Sequence, residues 1–428
     1  MIAGLTILPF RANWKDGVQL RSSFATNIFQ STAGSQTRFS QRDYGRRQIR
    51  FRLLPYHDFR RQWDAFREVN PPGTLLGVPL WSEQGIVLTA AAASGATTLT
   101  VNNAADIDWR GLGVLISATP TTASGTLALQ VEGFNIQSIS GNTITLAAGL
   151  TNAFNAGDEV LPLMLGHQLA DYADDFITPE ISDVELTFDE NLNDLGSVSF
   201  ATPPTYPTYL GLPVLPLIAE WSTTPKGKIT QNAHYLVQGL NAESIGIVQA
   251  YVRQGIAQRV GMACRADRAL LWQFFHDREG RWDRFWLPAL KDELKLAANV
   301  SASDTTLELE NYALFAERYG LGADLRMAIF LTDGFNWWTR QVINLSGGTN
   351  RVTIDAALGT ALNMNACQIG MLTFVQFAAD DLVVDLQAPV VGTATLAFTE
   401  LEKEYAEVIA AGSGDASGTR VGQELVAG

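Results

Sequence analysis

The side chains best suited to metal or acid–base chemistry are scattered along this 428-residue chain. Its four histidines are His57, His167, His234 and His276, and none has a second histidine three or four residues away. A helix-borne metal pair needs that spacing, because residues three or four apart share one helix face. We therefore expect structural or surface roles for all four histidines and predict no metal site.

The two cysteines, Cys264 and Cys367, are too few and too far apart for a disulfide scaffold or a thiolate metal site. Cys264 continues an alternation with the apolar residues Val260 and Met262. Such alternation indicates the buried face of a strand, so the sequence predicts a buried structural thiol at Cys264.

Carboxylates occur in two tight clusters, which are Asp171 with Asp174 and Asp175, and Asp380 with Asp381. A calcium loop needs oxygen ligands at several fixed spacings around a turn-forming glycine. Neither cluster has that pattern, so acidic surface loops are expected at both places.

Two glycine motifs, Gly111-Leu112-Gly113 and Gly320-Leu321-Gly322, resemble phosphate loops only in part. Neither continues to a third glycine or to Gly-Lys-Ser, so both are predicted to be turns. No Gly-x-Ser-x-Gly element stands out either. We predict no catalytic residue and no cofactor, and we expect a structural protein rather than an enzyme.

The strongest pattern in the chain is a duplication at a separation of about 209 residues. Its closest matches pair Trp63 with Trp272, Phe66 with Phe275, and Pro79 with Pro288. Near the end of each copy, Pro179, Leu186, Phe188 and Glu190 correspond to Pro389, Leu396, Phe398 and Glu400. A period this long indicates two copies of a whole domain. The repeated residues are mostly aromatic, Leu and Pro, so we predict that the first three pairs are core positions.

A strand and the helix after it carry the first part of this repeat. Polar and apolar residues alternate over 48–53, as in a strand with one buried face. The apolar stripe that includes Trp63 and Phe66 predicts a helix capped by Asp58, and the second copy predicts a helix over 267–278.

After each repeated proline, about 80 residues rich in Thr and Val and cut by turn signals predict short strands. The expected fold is mainly β with a few helices: two tandem β domains, each interrupted by a small β-barrel or sandwich. The predicted boundaries are 1–80 with 166–195 for the first domain, 81–165 for its insert, 196–215 for a linker, 216–290 with 376–404 for the second domain, 291–375 for its insert, and 405–428 for a flexible tail.

The net charge of −14 is unevenly distributed. Residues 1–70 contain 12 Lys and Arg against 5 Asp and Glu, so this segment carries +7 and the remaining 358 residues carry −21. Such asymmetry is typical of docking to an oppositely charged neighbour. We predict that Arg46, Arg47, Arg50 and Arg52 contact another subunit or ring, with a solvated strand face as the alternative.

The composition, 46% apolar and 17% charged, indicates a packed protein. No apolar run approaches the roughly 18 to 20 residues of a membrane span. Residues 1–5 lack the basic and long apolar regions of a signal peptide. A soluble protein made in the cytoplasm is expected.

The order of these elements resembles the tail-tip proteins of long-tailed bacteriophages, in the distal tail and baseplate hub families. That order is a strand, a helix with an aromatic stripe, a loop ending in Val78-Pro79 or Leu287-Pro288, an inserted β domain and a closing strand. The resemblance is strongest at 48–81 and 184–190 and at their repeats, 256–288 and 393–400. It covers about half the chain.

The resemblance implies that both tandem domains have the tail-tube fold, which is a β-sandwich with a flanking helix. In a tail tube, six such domains form a ring around a channel. A chain with two tandem domains would match that ring as a homotrimer. It further implies a virion protein of the tail tip, assembled in the host cytoplasm, that continues the tail tube and anchors peripheral tail proteins. Its partners would be tail-tube or other tail-tip proteins, and DNA would pass through the channel without specific binding.

Three other interpretations remain open. A distal tail protein would form a hexameric ring. A glycan-binding adhesin would use the inserted domains, with Trp109 or Trp337-Trp338 as exposed stacking platforms. A peptidoglycan-cleaving enzyme would need two carboxylates facing each other across a cleft, and no single pair stands out.

Overall fold

The computed structural model has two α-helices in the part of the chain that it describes. The described residues are 5–30, 36–117, 121–123, 126–128, 130–169, 171–191, 197–217, 219–220, 222–230, 233–238, 242–247, 253–310, 312–313, 328–333, 336–346 and 350–401. Helix α1 spans His57–Val69 and α2 spans Arg265–Asp277, with short 3-10 helices at Trp14–Asp16 and Trp81–Glu83. The predicted tail at 405–428 and the Gly320–Gly322 motif lie outside the described residues.

Strands make up most of the remaining regular structure, which confirms the prediction of a mainly β fold. In the first copy of the repeat they are β1 Val18–Ser23, β2 Thr26–Gln30, β3 Gln36–Ser40, β4 Arg46–Leu53, β5 Leu75–Pro79, β6 Thr98–Thr100, β7 Leu112–Ile116, β8 Thr121–Ala123, β9 Thr126–Ala128, β10 Val131–Ser140, β11 Thr143–Leu146, β12 Glu159–Gln168, β13 Asp174–Thr178 and β14 Ile181–Glu190. Two short strands, β15 Thr208–Tyr209 and β16 Leu212–Pro213, lie between the copies.

The second copy has the same order, except that no counterpart of the β8–β9 hairpin is among its described strands. Its strands are β17 Lys226–Thr230, β18 Ala233–Gln238, β19 Ala242–Ile247, β20 Arg253–Met262, β21 Arg284–Leu294, β22 Thr306–Glu308, β23 Ala328–Thr332, β24 Trp337–Ser346, β25 Arg351–Ile354, β26 Gln368–Phe377, β27 Asp381–Leu386 and β28 Gly392–Glu400. In both copies a strand and a hairpin precede a long strand, a helix of 13 residues follows it, and a hairpin closes the copy.

One antiparallel sheet runs through both copies. It contains eight strands in the order β17, β20, β28, β27, β1, β4, β14 and β13, and every neighbouring pair is antiparallel. Further strands join it, since β12 also pairs with β14 and β26 with β28. Strand β1 belongs to the first copy and β27 to the second, so their pairing joins the strands of the two copies into one sheet. The two copies therefore lie side by side.

A large apolar core lies on one face of this sheet. Along β4, Ile49, Phe51 and Leu53 are buried, while the residues between them point to the other face, as period-two alternation dictates. Side chains of both helices, including Trp63 and Trp272, belong to the same apolar cluster. The shared core therefore extends across both copies.

Each intervening segment has an apolar cluster of its own. In the first copy this cluster runs from Ile86 to Val160, and in the second from Leu294 to Met371. Strands β6 and β11 pair in the first segment, and β22 and β25 pair in the second, as expected from the repeat.

Three local predictions need correction. Helix α1 begins one residue before Asp58, whose carboxylate lies in the first turn and pairs with Arg61, so Asp58 is not the cap. The second helix begins at Arg265 rather than at residue 267. In the first glycine motif only Gly111 lies in a turn, with a left-handed φ of 77°, because β7 begins at Leu112.

Within the described residues, neither helix has the length and apolar character that crossing a bilayer requires.

Candidate assembly surface at the junction of the two copies

Strands β1 and β27 form the backbone of the junction between the copies. They pair in antiparallel register from Val18 opposite Leu386 to Ser23 opposite Asp381. On the polar face, Gln19 Nε2 donates a hydrogen bond to Asp385 at 2.8 Å. The inward residues of this pair of strands are buried, so the junction is packed on one face and solvated on the other.

A buried ion network centred on Glu190 connects the same two copies. Glu190 accepts hydrogen bonds from Arg47 Nε at 2.8 Å and from Arg110 Nη1 at 2.9 Å. Arg110 Nε donates to Asp108 at 3.0 Å, and Asp108 accepts from Trp272 Nε1 of the second copy at 3.1 Å. Burial alone would raise the pKa of Asp108, but Arg110 and Arg47 lower it below its usual value. Asp108 is therefore charged at neutral pH, and its buried charge is paired with the guanidinium of Arg110.

His276 of α2 closes this network as a neutral side chain. Its Nδ1 lies 2.7 Å from the carbonyl oxygen of Trp272, while Nε2 lies 3.0 Å from Ser22 Oγ and 3.1 Å from Arg110 Nη2. A guanidinium can only donate, so Nε2 accepts and Nδ1 carries the proton. Burial, reinforced by the charge of Arg110, lowers the pKa of His276 to about 3.

The low pKa of His276 predicts a pH dependence of stability. Unfolded histidine takes up a proton near pH 6.5, but folded His276 does so only near pH 3, so its contribution is complete above pH 6.5 and declines as the pH falls from there toward 3. We expect about 1 to 2 kcal/mol of unfolding free energy to be lost between pH 7.5 and pH 5 through this residue.

Urea unfolding of the wild type and of His276→Gln at both pH values measures this contribution. Glutamine can still form hydrogen bonds but does not titrate, so the variant should lose less stability on acidification than the wild type. Equal losses in the two proteins would rule out His276 as the source.

A second buried ion cluster lies between the 3-10 helix at Trp81–Glu83 and α2. The Glu83 carboxylate pairs with Arg268, and Arg265 Nε lies 3.6 Å from it. Arg265 Nη2 also donates to the carbonyl oxygen of Gln84 at 2.7 Å. A cavity of about 20 Å³, lined by residues of both clusters, has room for about one water-sized molecule.

Two of the four predicted interface arginines, Arg50 and Arg52, form ion pairs on the polar face of the shared sheet. Arg50 pairs with Glu185 at 2.7 Å, and Arg52 pairs with Asp183 at 2.8 Å. Their side chains are 48% and 34% exposed and line an open groove of about 420 Å³ that also includes Asp385. A contact of Arg50 and Arg52 with another subunit or ring stays a prediction. Both arginines already form ion pairs within the chain, and such a contact would be made in addition to those pairs.

The other two predicted interface arginines differ in direction: Arg47 faces the core, whereas Arg46 has the parity of Arg50 and Arg52 in β4 and is partly buried. Arg47 is 3% exposed and belongs to the buried network, so the prediction of an intersubunit contact at Arg47 is wrong. Arg46 pairs with Asp189 at 3.0 Å and donates to the backbone oxygen of Glu190, with 23% of its side chain exposed. Both residues therefore have partners within the chain.

The six predicted core positions of the repeat lie in the interior or at its margin. Those classed as buried are Trp63, Pro79, Trp272, Phe275 and Pro288. Phe66 is only partly buried, and it packs on Trp63 with ring centroids 6.2 Å apart.

The other side chains that could bind a metal or take part in catalysis lie apart from one another. His57 lies 3.1 Å from Glu180 on the surface, and His167 contacts the carbonyl oxygen of Gly73 at 3.0 Å. Cys264 is exposed, contrary to the prediction of a buried thiol, because β20 ends at Met262 and Cys264 caps α2. No group of three or more His, Cys, Asp or Glu in the described part of the chain could hold a metal ion.

Both acidic clusters make contacts within the chain. Asp174 pairs with Arg67 at 2.7 Å. Asp380 accepts hydrogen bonds from the backbone nitrogen atoms of Thr26 at 2.8 Å and Arg281 at 3.0 Å, so it holds the first copy to the turn after α2.

Sequence reasoning missed most of the buried network. Glu190 gave one signal, since it is a charged residue that recurs at Glu400 among apolar repeat positions. Arg110 and Asp108 flank Trp109 in a loop, and nothing in their spacing indicates a partner 80 residues away.

Comparison with known proteins finds no matching family model and no matching curated protein.

Proposed function

We propose that the chain is a structural component of a bacteriophage tail tip or baseplate, where three copies form a ring of six similar domains that continues the tail tube. The observation that carries this proposal is the pairing of β1 with β27. It places the two copies of the repeat side by side in one sheet, which is the arrangement that neighbouring domains need in a ring.

The two strands that pair are different elements of the repeat, and this supports a closed assembly. The first copy contributes its first strand, β1, and the second copy contributes the first strand of its closing hairpin, β27. These are different elements of the repeat, so the contact is head-to-tail, and head-to-tail contacts produce rings when their rotation closes. Two domains per chain then favour a trimer.

One alternative, a glycan-binding adhesin, depends on exposed aromatic platforms. Trp109 is fully buried, and its Nε1 donates to the backbone oxygen of Ala104 at 3.2 Å. Trp337 packs against Phe330, with ring centroids 4.5 Å apart. These contacts disfavour Trp109 and leave Trp337 with one face engaged, so the ring proposal is the stronger.

The mass of the assembly tests this function. Native mass spectrometry of the purified chain, alone and mixed with a tail-tube protein, is expected to show three copies and a complex of that trimer with the tube. Six copies would favour a distal tail ring instead. A single copy in both samples would contradict the proposal.

A further inference from the structure

We infer that separate chains join by pairing β17 of one chain with β13 of the next chain, in the register that β1 and β27 use within a chain. This inference rests on the proposed ring and specifies the surfaces that close it. Among the described strands, β17 pairs only with β20, and β13 pairs only with β14. They form the two ends of the shared sheet.

The internal repeat makes these two end strands equivalent to the two strands of the junction. Strand β1 pairs with β4 as β17 pairs with β20, and β27 pairs with β28 as β13 pairs with β14. The end of the second copy that exposes β17 thus corresponds to the end of the first copy that is covered by β27. The end that exposes β13 corresponds to the one that is covered by β1.

The register of the β17 edge follows from the pairings in each copy. Ile49 lies opposite Phe188 in the first copy, and Ile256 lies opposite Phe398 in the second. Leu20 lies opposite Ile49, and Gly227 lies opposite Ile256. Gly227 therefore corresponds to Leu20.

The β13 edge is aligned in the same way. Asp174 lies opposite Val184, and Val384 lies opposite Ala394. Val184 and Ala394 are each four residues before the repeated phenylalanine, so Asp174 corresponds to Val384. Because Leu20 lies opposite Val384, Gly227 is expected to lie opposite Asp174 of the next chain.

The charges on the two edges match in this register. Within the chain, Gln19 bonds to Asp385 at 2.8 Å, and Arg21 pairs with Asp381 at 3.0 Å. In the inferred contact, the equivalent pairs are Lys226 with Asp175 and Lys228 with Asp171. Both carboxylates recur, and a lysine stands at each donor position. Opposite charges at such cross-strand positions stabilise the pairing of two strands.

Apolar side chains on the same edges are uncovered in the single chain. Ile229 is 74% exposed, whereas the equivalent Ser22 in the junction is fully buried. Phe176 is 63% exposed, whereas its equivalent Leu386 is 1% exposed, and the guanidinium of Arg60 lies over the Phe176 ring. A strand edge with exposed apolar residues is a site for pairing with another chain.

The two helices also differ in how many of their residues are buried within the single chain. Helix α2, which packs into the junction, has six buried residues, and α1 has one, Trp63. In the inferred contact, α1 of the chain that supplies β13 takes the place that α2 has in the junction. The contact would therefore cover part of α1.

Disulfide trapping of matched cysteine pairs tests the inferred register. Directly opposed residues in antiparallel strands have Cα atoms about 4.5 to 5.5 Å apart, within disulfide range. We would combine Lys226→Cys with Asp175→Cys in a Cys264→Ser background, because Cys264 is exposed. Oxidation is expected to link chains covalently into dimers and trimers on a denaturing gel.

Two control pairs calibrate this result. Gln19→Cys with Asp385→Cys occupies the equivalent positions of the junction and should form a disulfide within one chain. Lys228→Cys with Asp175→Cys is two residues out of register, about 7 to 8 Å apart, and should link chains much less. Equal linking by this pair and the matched pair would overturn the register.

The charges provide an independent variant. Lys226→Glu with Lys228→Glu places like charges against Asp175 and Asp171, so the assembled fraction at low salt should fall at least tenfold. Adding Asp171→Lys and Asp175→Lys reverses both edges and should restore assembly. No loss of assembly in the first variant would contradict the inference.

The outcomes separate this inference from the proposed function. If the native mass shows a trimer but the matched pair does not link chains, the ring exists and closes through another surface. If the native mass shows only single chains, the ring itself is contradicted.

Discussion

Replacing Trp272 by alanine is expected to lower the free energy of unfolding by about 3 to 5 kcal/mol. Trp272 is 3% exposed, packs in the apolar core and donates its Nε1 hydrogen to Asp108 of the other copy. Alanine would leave a cavity in the shared core and remove a donor from a buried carboxylate. Urea unfolding followed by tryptophan fluorescence and by circular dichroism measures the loss.

The variant Trp272→Phe separates packing from hydrogen bonding. Phenylalanine retains most of the buried ring but donates no hydrogen bond, so a smaller loss of about 1 to 2 kcal/mol is expected. If Trp272→Ala and Trp272→Phe both changed stability by less than about 0.5 kcal/mol, the central position of Trp272 in the junction would be wrong.

Replacing Glu190 by alanine is the second change with a large expected effect, again about 3 to 5 kcal/mol. Glu190 is 2% exposed and pairs with both Arg47 and Arg110, whose side chains are each 3% exposed. Removing the carboxylate would leave the buried guanidinium groups of Arg47 and Arg110 without the negative charge that both of them contact. The unfolding transition should therefore move to lower urea concentration.

Glu185→Ala is the matched control, because it removes the same group from the same strand. Glu185 lies on the polar face, with 38% of its side chain exposed, and pairs with the exposed Arg50. Exposed ion pairs contribute little, so a loss below about 1 kcal/mol is expected. Equal losses for Glu190→Ala and Glu185→Ala would show that the network around Glu190 contributes no more than a surface pair.

The sequence predicted those parts of the fold that depend on periodicity and repetition. Alternation over 48–53 lies within β4, and the aromatic stripes that include Trp63 and Trp272 lie on α1 and α2. Both signals are local or recur within the chain, so they can be found without knowledge of tertiary contacts. The pairing of β1 with β27 leaves no such signal, because it joins segments more than 350 residues apart.

Arg47 shows how far the same periodicity could have been used. It has the parity of Ile49 and Phe51, which face the core, whereas Arg50 and Arg52 have the opposite parity. Alternation alone therefore placed Arg47 inward, and only the position of its partner Glu190 was hidden. Cys264 shows the reverse error, since the alternation that predicted its burial stops when β20 ends at Met262.

The mass of the assembled chain tests the central claim, a closed ring of tandem domains, most directly. Native mass spectrometry over a range of protein concentrations is expected to show a species of three chains. The two strand edges that pair in the junction recur uncovered as β17 and β13 at the ends of the shared sheet, and three chains supply six domains. A species of one chain at every concentration would contradict the ring.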